Sequence, residues 1–513
     1  MDLELAIAVK NIKPVNPKGT VAICSLWTPI DYLWKIWRQA KPDIFDAPSP
    51  FALIGGLYGG GLNIMLRNLH HNPQIDTIIL FGKDFSGASH QLSNFFSGKI
   101  VRTDQWQDYI FDDGHIEKLE KITIEGPQST YSMDSLIYPE IFSKKPQVEN
   151  WTGLSHKDLK ERLETFFDNY KPASPPLVRP AGIPLPKPII NTYPSNRFSH
   201  VITAETITQA WSELVFKLSR FGNAVSFRNG KQRLELNNLK AVVTNPGRME
   251  QTDFAKINLS SENLLEYKNE LIDGSLKHGL TYTYGHRLRT HFNEDLLMQA
   301  VSDLSSAGDS RHAYISLWDN NTDIKGHDSP CLVTVFFRKI DDKMHLSALF
   351  RSHNASRAWP VNCVGLYGLM EFVCRKLNEK RGQHDVSPPF TPGTLTVTSL
   401  SITLDPADFL QVKPIIEEWT SRPYKLSHDP NGFFKIGVDP QAEELVALHY
   451  SGDGELLDEY RAKTPQQMNW LLAKAHAVSD ISHAIYLGGQ LERAWHCLEH
   501  GKQYVQDKTK IGD

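Results

Sequence analysis

The sequence predicts a multidomain protein of mixed class: a parallel α/β domain at the N-terminus, an α+β domain in the centre and a small α+β domain at the C-terminus. Three observations carry this. The chain has 513 residues, enough for about three domains at roughly 100–200 residues each. Hydrophobic residues make up 40% and charged residues 22%, which excludes a mostly disordered, collagenous or coiled-coil chain. Eight of the 30 prolines fall in residues 172–194, a density that excludes helix and sheet interiors and fits an extended, semi-rigid connector. The expected domains are 1–170, a Pro-rich linker at 171–198, a central domain at 199–428 and a small one at 429–513.

In the first domain, Thr20–Leu26 (TVAICSL) and Ile75–Gly82 (IDTIILFG) are short apolar runs suited to buried strands. Between them a Gly-rich turn, Gly55–Gly61, leads into Leu62, Met65, Leu66 and Leu69 at helical spacing, ended by Asn72-Pro73. Strand, helix, strand predicts a parallel βαβ unit with its crevice at the C-terminal strand ends.

In the central domain, Ala204–Arg220, Asn293–Ser306 and Val361–Asn378 read as helices. Arg233–Thr244, Ala313–Trp318, Leu332–Lys339, Met344–Arg351 and Gly393–Leu404 read as strands. The last domain opens with strands around Phe433–Val438 and Leu445–Tyr450. Thr464-Pro465 then starts a helix as N-cap and first residue, and Ala484, Leu487, Leu491, Ala494 and Leu498 form a core-facing stripe.

The 55 Lys+Arg against 59 Asp+Glu give a net charge of −4. No basic excess calls for a nucleic acid or an anionic membrane, and no apolar run reaches the 18 or so residues of a membrane span. The start, MDLELAIAVKNIKP, puts acids before its apolar patch, the reverse of a signal peptide. Cys24, Cys331, Cys363, Cys374 and Cys497 are scattered, odd in number and without a CxxC. A disulfide scaffold and a Cys-based metal site are not expected, and a cytoplasmic location is.

One cysteine has informative neighbours. Cys331 stands in HDSPCLVTVFF; alone, such a cysteine is more often a small buried hydrophobe than a nucleophile. Arg311-His312 begins 20 residues before it, Arg351-Ser352 begins 20 residues after it, and Asn362 follows Arg351 by 11. Each has a bland reading of its own: Arg351 as a surface ion pair, Asn362 as a helix cap, a tyrosine such as Tyr284 as core. The joint spacing favours a site.

That constellation resembles thymidylate synthase and its hydroxymethylase relatives, over roughly residues 199–410. The matching segments are Asp309-Ser310-Arg311, Trp318-Asp319, Pro330-Cys331, Arg351-Ser352-His353-Asn354 and Pro360-Val361-Asn362, with YTYGHRLR placing Tyr284, Gly285 and Arg287 upstream. The resemblance implies transfer of a one-carbon unit to C5 of a uracil nucleotide, dUMP. Cys331 would add to C6, splitting one difficult step into easier ones, with nearby arginines favouring its thiolate. Arg351, Ser352 and Arg311 would hold the 5′-phosphate, Arg311 reaching across a homodimer. Asn362 would read the base edge with its donor and acceptor; relatives that prefer cytosine tend to have Asp there. Tyr284 would aid proton removal at C5 through water. The expected donor is 5,10-methylenetetrahydrofolate or a related reduced pterin, with Asn354 and Trp359 on its side of the site.

The sequence departs from the family in several places. His312 replaces the second arginine of the doublet, and Asn354 replaces an aspartate. Ser401 and Thr403 stand where a His-x-Tyr should hold the ribose, and Arg220-Phe221-Gly222 replaces an Arg-Thr-Gly loop. Glu266 is the candidate for the catalytic glutamate, with Glu262 and Glu270 close by. The chain continues past the family's C-terminal lid, so the lid must differ. Two alternatives stay open: a dUMP or dCMP hydroxymethylase, and a non-catalytic nucleotide- or pterin-binding regulator.

The first domain resembles the corrinoid-ligating component of the tetrahydromethanopterin S-methyltransferase of methanogens, through VAICSL, ALIGGLYGGGLNIMLRNLHHNPQIDTIILFGKD and GASHQ. There a histidine after the second strand ligates the corrinoid. Here Ala88 follows Gly87 and His90 comes two residues later, so no corrinoid is expected. The crevice is left to a pterin, a nucleotide or a structural role. The last domain, with SHAIYLGGQLERAW, looks like one found beside such modules, and packing or dimerisation is its default role.

Overall fold

The structure, a computed structural model, describes residues 1–9, 11–57, 61–84, 87–126, 130–171, 178–226, 232–248, 261–276, 280–306, 311–325, 329–381, 388–422 and 428–508. Parts of the Gly-rich turn, the proline run and the Asp-Ser-Arg motif (residues 58–60, 172–177, 309 and 310) lie outside them. The chain divides into two compact units, Met1–Thr420 and Ser421–Asp513.

The larger unit begins with an α/β layer. Its elements are β1 (Ile12–Pro14), β2 (Val21–Cys24), α1 (Ile30–Ala40), β3 (Phe51–Gly55), α2 (Gly61–His71), β4 (Thr77–Leu80) and α3 (Ala88–Phe96). There follow β5 (Ile100–Ile110), β6 (Ile116–Glu125), β7 (Thr130–Asp134), β8 (Gln147–Asn150), α4 (His156–Asn169) and β9 (Lys187–Pro188). One sheet runs β1-β3-β2-β4-β8. Its β3, β2, β4 and β8 are parallel and β1 is antiparallel at the edge. VAIC and TIIL are buried at every position, as strands covered on both faces require. One cover is built around Leu62, Leu66, Leu92 and Phe95, the other around Leu33, Trp37, Trp151 and Leu159.

Sequence reasoning placed β2, α2 and β4 but passed over α1 and β3. The signal for α1 was Leu33, Trp37 and Ala40 at helical spacing in IDYLWKIWRQA, all three buried. A second, antiparallel sheet β7-β6-β5-β9 was also missed. Its strand β9 comes from the proline-rich stretch, which is further tied down where Arg67 Nε donates to the Pro184 carbonyl at 2.8 Å.

The central elements are β10 (Val201–Ala204), α5 (Ile207–Phe221), β11 (Asn223–Ser226), β12 (Gln232–Val243), α6 (Ser261–Ile272), α7 (Tyr284–Arg289) and α8 (Leu296–Ser306). They continue with β13 (Tyr314–Ser316), β14 (Leu332–Ile340), β15 (Lys343–Phe350), β16 (His353–Asn354), α9 (Ala358–Glu379), β17 (Thr391–Leu404) and α10 (Pro406–Ser421). The sheet runs β10-β12-β17-β15-β14-β13, with β11 and β16 paired to β12 and β17. Its core joins Trp211, Leu214 and Leu218 of α5 to Phe350, Val397 and the apolar face of α9. The predicted strands and helices of this region fall within a few residues of those observed, and α9 tolerates Pro360 because it sits in the first turn. A register shift between Leu332 and Thr334 puts a bulge beside Cys331, the kind of irregularity that re-aims a side chain.

The smaller unit holds β18 (Phe433–Asp439), β19 (Glu444–Tyr450), β20 (Leu456–Ala462), α11 (Pro465–Lys474) and α12 (Ile481–Glu499). Thr464 caps α11 by accepting from the Gln467 amide. The buried stripe of α12 is Leu487, Leu491, Ala494 and Cys497. The expected stripe included Ala484, which is exposed, and Leu498, which is only half-buried; the true period carries the face to Cys497 instead.

Among the described residues no helix is long and apolar enough to cross a membrane, and no group of three or more His, Cys, Asp or Glu side chains is placed to hold a metal ion.

Candidate active site

Burial separates the cysteines. It pushes the thiols of Cys24 and Cys374 up to about 12 and that of Cys363 well above its ordinary range. Cys331, half-buried, stands just before β14. Two hydrogen bonds from Arg351 hold the segment leading to it: Nε donates to the Pro330 carbonyl at 3.0 Å and Nη2 to the Ser329 carbonyl at 2.8 Å. The Arg351 amide also donates to the Cys331 carbonyl at 3.0 Å. The guanidinium lies 5.5 Å from the Trp318 ring centroid. A cation thus sits on the backbone that leads to the thiol. Among the described residues Nη1 has no hydrogen-bond partner, which leaves it able to meet an anion. Ser352, half-buried, follows in the same turn.

Asn362 lies on the first turns of the long helix α9 and is buried. Its Nδ2 donates to Nε2 of His353 at 2.9 Å, and its Oδ1 accepts from the Tyr267 hydroxyl. The Nδ1 of His353 lies 3.0 Å from Oγ of Ser399, and its ring stacks on Phe350 at 3.9 Å between centroids. Burial pulls the His353 imidazole down to about 3, with the Ala358 backbone opposing it only in part, so the ring is neutral at pH 7. Asn362 therefore does not cap its helix: each end of its amide keeps one bond to the protein and one site to spare.

Two glycines allow these elements to close in. A Cβ on Gly365 would come within 2.8 Å of Leu271 and 2.9 Å of Tyr267. A Cβ on Gly285 would come within 2.1 Å of the Asp273 carbonyl oxygen and 2.2 Å of that of Glu270, below any real contact distance. The first brings α6 against α9, and the second seats α7 under the end of α6. Tyr267 and Tyr284 thereby meet near Cys331. Burial, reinforced by Tyr267, Cys331 and Tyr282, pushes the Tyr284 hydroxyl well above its ordinary range, while the Leu332 amide opposes the shift. Burial likewise raises Tyr267, followed by Glu270, Tyr282, Cys331 and Cys363. Both phenols are protonated at neutral pH. Neither can act as a phenolate base there.

Glu266 is not brought to this site. Its carboxylate pairs with Lys83 at 2.6 Å in solvent. On α6 the inward residues are Leu264, Tyr267 and Leu271, spaced three and four apart, so Glu266 faces away. Tyr267 is the residue that sequence reasoning missed, and the same spacing was the signal for it.

Arg311 and His312 are exposed. Tyr314 pairs with Phe336 in the β13–β14 ladder, five residues along from Cys331 or about 16 Å at roughly 3.3 Å per residue, and Arg311 lies before that strand begins. Within one copy they are apart. Arg287 is buried and structural: its Nη1 and Nη2 donate to Asp323 at 2.9 and 2.6 Å. Ser401 donates to Glu235 at 2.5 Å, and Thr403 is buried with its hydroxyl 3.5 Å from the His353 carbonyl. Neither presents a hydroxyl free of a protein partner.

The donor side does not fit as expected. The Asn354 Oδ1 accepts from Ser356 Oγ at 2.9 Å and from the Arg357 amide at 3.0 Å, tightening the turn before α9. Trp359 is fully buried, and its Nε1 has no partner among the described residues. Trp359 is thus closed off from a ligand, and Asn354 spends its Oδ1 on the turn.

Comparison with known proteins points to the central part of the chain. A segment of it is 31% identical over 218 residues to a protein of Methanococcoides burtonii named "Putative thymidylate synthase", covering 42% of this chain and 94% of the relative. A protein of the same name from Methanosarcina mazei is 31% identical over 227 residues, covering 43% and 98%. Another from Methanothermobacter marburgensis is 28% identical over 234 residues, covering 43% and 99%. A family model described as PterinBD-DUF4346 matches residues 428–507, nearly the whole smaller unit.

Proposed function

Since the chain belongs, through its central part, to the thymidylate synthase family, we propose that it transfers a one-carbon unit to C5 of dUMP, giving dTMP. The observation that supports this most is that Tyr267, bonded to the buried amide of Asn362, also lies close enough to feel the half-buried Cys331, whose segment the Arg351 guanidinium holds. The Cys331 thiolate adds to C6 of the base, forming a C–S bond and moving the electron pair of the 5,6 double bond toward C5 and O4. Asn362 donates to O4, where charge develops, and accepts from N3–H. C5 then forms its bond to the one-carbon unit and loses its proton to water held by Tyr284; once the exocyclic carbon has taken up hydride or hydroxide, expulsion of the thiolate from C6 restores the 5,6 double bond. Arg351 binds the 5′-phosphate through its remaining donors, joined by Arg311 from a second copy of the chain in a homodimer.

A reduced pterin such as 5,10-methylenetetrahydrofolate, when bound, supplies the methylene unit and, for a methyl product, the hydride. Its class rests on the family and on the C-terminal match. Asn354 is tied into the turn before α9 and Trp359 is fully buried, so neither residue is assigned to the donor. Hydroxymethyl transfer, in which water in place of hydride meets the exocyclic carbon, is the second reading. The test is tritium release from [5-³H]dUMP with methylenetetrahydrofolate, followed by product mass. Release with a dTMP product supports the proposal, a hydroxymethyl product supports the second reading, and no release from wild-type protein overturns both.

A further inference from the structure

Asn362 is the middle of a buried polar chain. Ser399, His353, Asn362 and Tyr267 are linked in series at 3.0 Å, at 2.9 Å and by the Tyr267 hydroxyl bond. Ser399 and His353 are buried, and among the described residues their side-chain bonds to other side chains run within this chain, with the Ala358 backbone beside the ring. Such a chain has only two consistent proton arrangements. In one, Tyr267 donates to Asn362 Oδ1, Asn362 Nδ2 donates to His353 Nε2, and His353 Nδ1–H donates to Ser399. The spare lone pair and spare N–H of the amide then face the base as acceptor and donor, matching N3–H and O4 of uracil. In the other, every bond is reversed. The amide is turned over, His353 carries its proton on Nε2, Ser399 donates to Nδ1, and the exposed edge matches N3 and the amino group of cytosine.

The base edge read by the site is therefore coupled to the tautomer of a histidine that need not touch the base. Resting on the uracil-nucleotide reading above, we propose that His353 and Ser399 set which pyrimidine the site accepts, by fixing the orientation of the Asn362 amide. They are positioning residues, acting through Asn362. A buried polar mismatch is what lets a site tell such close substrates apart, and here the mismatch is distributed over three side chains.

The test uses the full chain and two readouts. First, ¹⁵N-histidine NMR of wild type saturated with dUMP reads the tautomer of His353, assigned by loss of its signals in His353→Gln. The proposal expects the proton on Nδ1; a proton on Nε2 overturns it. Second, tritium release from [5-³H]dUMP and [5-³H]dCMP is compared in wild type and Ser399→Ala, which removes the partner that distinguishes the two ring nitrogens. Wild type is expected to favour dUMP by at least about 100-fold, and Ser399→Ala to reduce that preference at least about tenfold. An unchanged preference in a variant that still processes dUMP overturns the proposal. If wild type processes neither nucleotide, the parent reading falls instead, and the two failures are distinct. Should Ser399→Ala fail to fold, the wild-type tautomer alone decides.

Discussion

Arg351 and Pro330 are joined across the loop that carries the candidate nucleophile, the guanidinium Nε donating to the proline carbonyl at 3.0 Å. With the bond to Ser329 at 2.8 Å, this uses the two-pronged geometry that only arginine offers. The same side chain shapes the cysteine segment and keeps a cation beside it.

Arg351→Lys keeps the charge and loses the fork. We expect KM for dUMP to rise about tenfold or more, in line with the roughly 1.5–3 kcal/mol of a hydrogen bond to a charged group. Arg351→Gln should in addition move the pH dependence of Cys331 alkylation by iodoacetamide to higher pH, because the cation that favours the thiolate is gone. If the alkylation profile of Arg351→Gln matches wild type, Arg351 does not tune the thiol.

Tyr267→Phe leaves the Asn362 Oδ1 with one fewer partner in a buried site. A stranded buried acceptor costs about 1–3 kcal/mol, so the thermal midpoint should fall by several degrees and kcat on dUMP by about tenfold or more. Glu266→Gln, at a residue whose carboxylate pairs with Lys83 away from this site, should leave both within error. Steady-state kinetics on the pair decides between tyrosine and glutamate at this position.

Breaking the buried pair Arg287–Asp323 tests the scaffold under Tyr284. Removing one partner of such a pair typically costs about 3–5 kcal/mol. Asp323→Asn should lower the urea midpoint accordingly, without changing which nucleotide is accepted.

His353 also predicts a pH dependence. Its folded value of about 3 lies below the ordinary 6.5, so between those two values the unfolded chain binds the proton that the folded chain excludes. Stability from this group is present above pH 6.5 and is lost as pH falls, by up to about 1.4 kcal/mol per pH unit. His353→Gln lacks this term. The stability gap between wild type and His353→Gln, from urea unfolding, should narrow steadily from pH 7 to pH 5; a constant gap contradicts a neutral, buried ring.

Much of the site could be read from the chain because its parts lie at short, ungapped spacings. Cys331, Arg351 and Asn362 sit on consecutive elements, so linear distance fixed their relation. Arg311 could be named but not placed, since its distance from Cys331 is set by the β13–β14 register. The chemistry calls for an acid and so points to Glu266, with Glu262 and Glu270 close by, whereas Leu264 and Leu271 mark an inward face that carries Tyr267. The roles of Ser401 and Thr403 turn on partners distant in sequence, Glu235 and His353, which leave no local trace. In the N-terminal layer the fully buried β2 and β4 were legible as apolar runs, whereas β5, exposed along most of its length, has no such run.

The most direct test of the central claim is mass spectrometry of the full chain after incubation with 5-fluoro-dUMP, with and without methylenetetrahydrofolate, followed by mapping of the modified peptide. The account predicts a covalent adduct on Cys331 that is absent in Cys331→Ala. An adduct on another residue, or none on wild-type protein that binds the nucleotide, contradicts it.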